Sequence, residues 1–220
     1  MSTPKWIDVT TENLYSLDHF VIPSHYEQEI ESILIPHGII MDRVEKLAKL
    51  IAADIPDVEE PSLVVCCVLK GGHQFFADLI NQIKKLQTAS GKSIKLSLEF
   101  LKVKSYHNEQ STGEVSFSLT KNELMYYKGK NILIVEDIID TGRTMQKILE
   151  KLSEYEPASV KVTSLLIKKT PLSNGYIPDY VGFAIPDAFV VGYALDYNEH
   201  FRDLDHIAVI SEHGKEAYAL

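Results

Sequence analysis

The sequence predicts an α/β protein built on a parallel sheet with helices on both faces. Three observations carry that expectation. Ser62–Leu69 and Ile132–Val135 are continuous apolar runs, and Val160–Ile167 is a third strand-like stretch; such runs mark strands buried on both faces. The intervening segments carry helical apolar spacing, which makes right-handed βαβ crossovers the natural connection. Each strand then ends in polar punctuation: Lys70-Gly71-Gly72, Glu136-Asp137 and Lys168-Lys169. Three strand ends thus present polar groups at one sheet edge, where open α/β sheets bind ligands.

The elements follow in order. Residues 1–37 read as irregular, interrupted by Pro4, Pro23 and Pro36. From Gly38 a helix is predicted, with Ile39, Ile40, Val44, Leu47, Ala48 and Ile51 at helical spacing. Pro56 and Pro61 bracket an acidic loop before the first buried strand. His73 to Leu86 reads as a helix with Phe75, Phe76, Leu79, Ile80 and Ile83 on its apolar side, and Ile94 to Val103 as a strand. Ser105 to Gly113 is polar and unpatterned, the character of a mobile lid beside a site. Ile132–Val135 leads to a helix that starts at Met145 and runs to about Tyr155. From Thr170 onward Pro171, Gly175, Pro178 and Pro186 break the chain into short β-like pieces at Tyr180–Phe183, Phe189–Ala194 and His206–Ile210. These pieces and the N-terminal stretch are expected to form a smaller lobe over the site. The core then spans about 38–170 and the lobe about 1–37 plus 171–220, within one domain.

Composition narrows the function. A length of 220 residues suits one domain, and 45% apolar residues suffice for a substantial core. The net charge of −9 argues against a nucleic-acid binder, which would carry a basic face. It leaves room for a small anionic ligand, since local fields decide that. Cys66 and Cys67 are adjacent on a strand, point to opposite faces and lack metal-ligand spacing, so they read as buried thiols in a reducing compartment. Met1-Ser-Thr-Pro-Lys5 lacks the apolar segment of a signal peptide, and no apolar run approaches the roughly 20 residues of a membrane span. A cytoplasmic protein with no membrane partner is expected. The histidines show neither metal nor triad spacing.

The most informative segment runs from Ile132 to Met145. A buried strand ends in the acids Glu136 and Asp137, and Asp140-Thr141-Gly142-Arg143-Thr144 then enters a helix N-terminus. Exposed N–H groups and the positive end of the helix dipole favour phosphate there. Two carboxylates beside it would repel phosphate alone, but they suit a ligand that also offers hydroxyls. A sugar phosphate satisfies both. Read singly, Glu136 and Asp137 could instead cap the following loop, and Asp140 could be a helix N-cap.

Taken together these segments resemble the purine phosphoribosyltransferase family, in its 6-oxopurine branch. Val135–Thr144 resembles the family's ribose-phosphate loop and Leu69–Gly72 its pyrophosphate loop. Lys104–Tyr106 with Ser111–Gly113 resembles its flexible lid, and Lys168–Pro171 with Pro186–Asn198 its purine pocket. Leu34–Gly38 and Glu199–Asp203 also match, and the likeness runs in one register from about residue 10 to the C-terminus.

The resemblance implies a type I phosphoribosyltransferase fold, a central parallel sheet flanked by helices with a small hood subdomain. It implies transfer of 5-phosphoribose from phosphoribosyl pyrophosphate to hypoxanthine or guanine, giving IMP or GMP and pyrophosphate. Glu136 and Asp137 would face the ribose hydroxyls, and Asp140 would accept the N7 proton of the purine. Asp140, Thr141, Gly142, Arg143 and Thr144 would cradle the 5′-phosphate. Lys70, Gly71, Ser105, Tyr106 and Arg202 would meet pyrophosphate, and the family's peptide at the Leu69–Lys70 position can be cis. For Arg202 the ordinary alternative is an ion pair with Asp203 or Asp205. Lys168 would donate to the 6-oxo group, which disfavours adenine. Phe189 would stack on the base, Val190 would meet its far edge, and Asp196 completes the purine set. Asp196, with Glu136 and Asp137, would serve Mg²⁺, the implied cofactor. Leu172 and Ala188 stand where some members carry a basic residue and a longer side chain, which bears on preference among 6-oxopurines. The implied assembly is a homodimer or homotetramer. A catalytically weak, regulatory nucleotide-binding relative is the competing reading, and the presence of Asp140 weighs against it.

Overall fold

The computed structural model describes residues 5–104, 116–117 and 124–220. The expected lid at Ser105–Gly113, with Ser105 and Tyr106, lies outside the described residues. The strands are β1 (Ile7–Asp8), β2 (Ile30–Ile35), β3 (Ser62–Leu69), β4 (Lys95–Lys104), β5 (Ser116–Phe117), β6 (Asn131–Ile139), β7 (Ser159–Lys168), β8 (Tyr180–Ile185), β9 (Val190–Val191) and β10 (Ile207–Ile210). The helices are α1 (His37–Ala53), α2 (His73–Ile83), α3 (Arg143–Ser153) and α4 (Glu212–Ala217).

The main sheet has the order β1-β8-β7-β6-β3-β4-β5. All its neighbours run parallel except β5, which is antiparallel to β4. Alternation along β3 sends its two cysteines to opposite faces. Cys67 packs with Val135 against Val44, Leu47, Phe75 and Leu79 of α1 and α2. Cys66 packs with Ile132 and Ile134 against Met145, Ile148 and Leu152 of α3. Both thiols are free, and burial pushes each up to about 12, so they stay protonated. Among the described residues no helix is long and apolar enough to cross a membrane.

The chain leaves β3 outward to β4 and then returns to the other side of β3 as β6. The strand order therefore reverses between β3 and β6, and such a switch point opens a crevice at the C-terminal ends of the strands. β3 pairs with β6 only from Val64↔Ile132 to Cys67↔Val135. Past that point β6 continues against β7 alone, through Glu136↔Ser164 to Ile139↔Ile167. Glu136 and Asp137 consequently lie within a strand rather than beyond its tip, because β7 supplies ladder partners that an apolar pattern cannot reveal. The Leu69–Lys70 peptide, where β3 turns away, is cis.

The smaller lobe differs from expectation in its membership. β8 is buried throughout and lies beside β7 in the main sheet, not in the lobe. Its residues are apolar on both faces, which an interior position accommodates. β1 pairs with β8, so the N-terminal stretch also reaches the main sheet. The remaining pieces form a second sheet, β2-β10-β9, antiparallel throughout. Its core includes Tyr26, Ile33, Phe201 and Ala208, with Tyr26 stacked on Phe201 at 4.4 Å between centroids.

Gly182 shows how tightly β8 is seated. A Cβ there would overlap the backbone carbonyl of Leu165 on β7, and no rotamer change can relieve a clash with backbone. Gly182→Ala is therefore expected to cost roughly 1–3 kcal/mol, the usual range for overpacking. Urea unfolding would show this as a lower midpoint at constant slope. An unchanged midpoint would mean that β8 shifts freely along β7.

Candidate active site

The crevice holds a cavity of about 230 Å³ at the ends of β3 and β6. Glu136, Asp140, Thr141, Gly142 and Thr144 line it, with Val68 and Leu69 forming an apolar wall. Gly142 has φ +79°, a left-handed conformation that glycine adopts without strain. It turns the chain into α3, where Gln146 N donates to Gly142 O at 3.0 Å. Among the described residues no backbone acceptor takes the N–H of Thr144 or Met145. The first turn thus keeps donors for a ligand, with the dipole behind them. Arg143 is exposed, so the loop's backbone and threonines face the cavity rather than its guanidinium.

The carboxylate pair divides. Glu136 borders the cavity, whereas Asp137 lies against the β3–α2 turn. A Cβ on Gly71 would overlap the Asp137 carboxylate, and one on Gly72 would press on the carbonyls of Val68 and Val135. The two glycines therefore let the turn close onto β6. Asp137 Oδ1 accepts from Ile138 N at 2.8 Å.

Burial, and then the charge of Asp137, push Glu136 well above the ordinary glutamate range. A carboxyl raised in the folded state gives its most favourable contribution below its unfolded value. That contribution is lost as pH rises through the folded value. Glu136→Gln should therefore raise the melting temperature more at pH 8 than at pH 5. The expected gain at pH 8 is roughly 2–4 °C, which about 1 kcal/mol produces in a chain of this size. An equal gain at both pH values in a calorimetric scan would contradict the cause given.

At the end of β7, the Lys168 side chain is only 14% exposed. Its Nζ stands 4.0 Å from Asp140 Oδ2 and 3.9 Å from Asp187 Oδ1. Phe189 is 45% exposed and meets Tyr197 edge-on at 5.3 Å, while the following Val190 and Val191 are buried. An apolar run of this kind would ordinarily be core, yet its first ring is left open.

A second polar cluster surrounds Arg202. Its Nη2 pairs with Asp196 Oδ1 at 2.9 Å and Glu199 Oε1 at 3.5 Å, and its Nη1 donates to Ala194 O at 2.7 Å. The alternative ion pair with Asp203 or Asp205 is not the one formed; Asp196 and Glu199 are its partners. Asp203 instead accepts from Tyr26 OH at 2.8 Å. Lys70 Nζ reaches Glu199 Oε2 at 3.0 Å, so Glu199 bridges two cations from different elements. Asp196 Oδ2 accepts from Glu199 N at 2.8 Å. Tyr193, Ala194, Asn198, Glu199 and Phe201 all have positive φ, a concentration of unusual backbone typical of ligand-handling loops. Among the described residues no three His, Cys, Asp or Glu side chains converge as a metal site.

The sequence-based set therefore falls into two groups. Glu136, Asp140, Thr141, Gly142 and Thr144 share one cavity, with Lys168 at its Asp140 side. Lys70, Asp196 and Arg202 are joined through Glu199. Sequence reasoning passed over Glu199, Asp187, Tyr197 and Asn174, whose partners are distant in the chain. The Asn174-Gly175 turn signal was the one local hint.

A parallel sheet split at its switch point, with an acidic strand feeding a Gly/Thr loop, is the architecture of a phosphoribosyltransferase. The sequence profile of the phosphoribosyl transferase domain matches residues 32–198. The chain is 54% identical over 204 residues to the hypoxanthine-guanine phosphoribosyltransferase of Rattus norvegicus, covering 93% of this chain and 92% of that protein. The Homo sapiens enzyme of the same name gives the same figures, 54% over 204 residues with 93% and 92% covered. A crystal structure of hypoxanthine-guanine phosphoribosyltransferase from Schistosoma mansoni in complex with IMP matches with a TM-score of 0.78 and 37% identity, over 97% of this chain and 99% of that one. The chain belongs to the hypoxanthine-guanine phosphoribosyltransferase family.

Proposed function

We propose that the chain transfers 5-phosphoribose from phosphoribosyl pyrophosphate to N9 of hypoxanthine or guanine, releasing pyrophosphate and forming IMP or GMP. The observation that carries this reading is the position of Asp140. Its carboxylate borders the Gly/Thr cavity and lies 4.0 Å from Lys168 Nζ, between a phosphate cradle and a base-end donor. In the reaction the C1′–O bond to pyrophosphate breaks and the C1′–N9 bond forms. Asp140 takes the N7 proton, which raises the nucleophilicity of N9. Glu136 and Asp137 accept from the ribose hydroxyls, and the charge that the pair shares lies beside the oxocarbenium-like centre. Thr141, Gly142, Arg143 and Thr144 hold the 5′-phosphate, mainly through backbone N–H groups and hydroxyls. Lys70, Gly71 and Arg202, with Ser105 and Tyr106, receive pyrophosphate. Lys168 donates to the 6-oxo group, Phe189 offers its exposed ring to the base, and Val190 and Asp196 close the pocket.

Mg²⁺ suits this donor set. Asp196 is a hard oxygen donor whose two oxygens each retain lone-pair capacity beyond their contacts with Arg202 and Glu199 N. One carboxylate supplemented by water and substrate phosphates is the usual manner of holding Mg²⁺. Asp196 would hold it, with Glu136 and Asp137 as further carboxylates, and the ion would supply charge neutralisation for the departing pyrophosphate. Cytoplasmic residence is supported by the two free buried thiols. A homodimer or homotetramer is the assembly that the family relation supports. The regulatory reading is not favoured, since Lys70, Asp140, Lys168, Asp196 and Arg202 are all present. Product analysis tests the proposal: hypoxanthine and phosphoribosyl pyrophosphate should yield IMP and pyrophosphate in equal amounts. Pyrophosphate release without IMP would contradict it.

A further inference from the structure

The connection between β7 and β8 grips the Gly/Thr loop through Asn174. Asn174 N donates to Thr141 O at 2.9 Å. Its Nδ2 donates to Gln146 Oε1 at 3.0 Å, one turn inside α3. Its Oδ1 accepts from Tyr176 N at 3.0 Å, an Asx turn that fixes the side chain. The same Oδ1 would overlap a Cβ on Gly142, so Asn174 also forms the wall against which the left-handed residue turns.

These contacts have a directional consequence. In a trans peptide the carbonyl and the following N–H point opposite ways. With the Thr141 carbonyl turned to the N–H of Asn174, which is not among the residues lining the cavity, the Gly142 N–H points the other way, away from Asn174. The bond to Gln146 fixes the start of α3 relative to that peptide. Thr144 and Met145, whose N–H groups have no backbone acceptor among the described residues, lie within the clamped span.

We propose that the Asn174 side chain is a positioning element for phosphate: by its bonds to Tyr176 N and Gln146 it locks the turn whose backbone N–H holds Thr141 O, and so aims the N–H groups of the Gly/Thr loop without touching the substrate. The inference rests on reading that loop as the 5′-phosphate site. In the full-length chain, Asn174→Ala keeps the backbone N–H on Thr141 O but removes the Asx turn, the bond to Gln146 and the wall against Gly142; it should weaken GMP binding in a calorimetric titration roughly five- to tenfold, the effect of about one lost hydrogen bond. The KM for phosphoribosyl pyrophosphate should rise by a similar factor, while kcat and the KM for guanine stay within about twofold. Gln146→Ala, which removes only the bond to α3, should give a smaller shift in the same direction. Asn174→Ser, which keeps an oxygen for Tyr176 N, should restore part of the loss. Unchanged GMP affinity in Asn174→Ala would overturn the inference. So would a kcat and a KM for guanine that move as far as the KM for phosphoribosyl pyrophosphate, since that marks general disturbance. Thr144→Ala separates the two levels of the claim. If it weakens GMP while Asn174→Ala does not, only the role of Asn174 falls. If neither weakens GMP, the loop is not the phosphate site and both readings fall.

Discussion

Asp140→Asn is expected to lower kcat by roughly 10²-fold or more, the loss that follows removal of a positioned general base, while GMP affinity changes only a few-fold. The reasoning is chemical. Asn keeps the size and hydrogen-bonding reach of Asp but cannot accept a full proton. Nothing structural should collapse with it. The Asp140 side chain is 56% exposed, and its contact with Lys168 at 4.0 Å is a long ion pair; partly exposed pairs of that kind contribute about 0–1 kcal/mol. Single-turnover kinetics beside calorimetry with GMP would separate the two quantities. A kcat within about threefold of the parent would remove Asp140 from the chemistry.

Lys168→Ala is expected to have the second largest effect, on the base rather than on the phosphate end. Its ammonium is largely withdrawn from water, between Asp140 and Asp187 at 4.0 and 3.9 Å. A cation in that position is a strong, directed donor to a 6-oxo group. Hydrogen bonds to charged groups contribute about 1.5–3 kcal/mol, so kcat/KM for hypoxanthine should fall roughly 10- to 100-fold. Binding of phosphoribosyl pyrophosphate should change much less. Equal losses for the two substrates would mean that Lys168 supports the shape of the pocket and does not read the base.

The parts of the fold legible in the sequence were those with a local signature. β3, β6 and β7 carry apolar runs, and α2 and α3 carry helical spacing, so each is readable to within a few residues of its ends except at the C-terminal end of β6, which runs to Ile139. β1 has only two residues, and β2 sits among prolines, so neither offers a period long enough to register. β8 has a strand's local signature, but its place in the main sheet rather than the lobe depends on pairing with β7 and not on its own residues. The reach of β6 through Glu136 and Asp137 has the same origin. In the site, the Gly/Thr loop and its acids were visible because one contiguous segment holds them. Glu199, joined to Lys70 from 129 positions away, was not visible. Neither was Asn174, whose partners Thr141 and Gln146 lie across the β6–α3 turn. Such residues are defined by distances that only the folded chain sets.

Lys168 at the end of β7 is expected to make phosphoribosyl transfer selective for 6-oxopurines. This selectivity is tested most directly by initial rates on hypoxanthine, guanine, xanthine and adenine, measured spectrophotometrically in parallel with and without Mg²⁺. Hypoxanthine and guanine should both turn over in the presence of Mg²⁺, and adenine should be slower by at least roughly 10²-fold, because its 6-amino group leaves the Lys168 donor without an acceptor. Adenine turning over as fast as hypoxanthine would contradict the account.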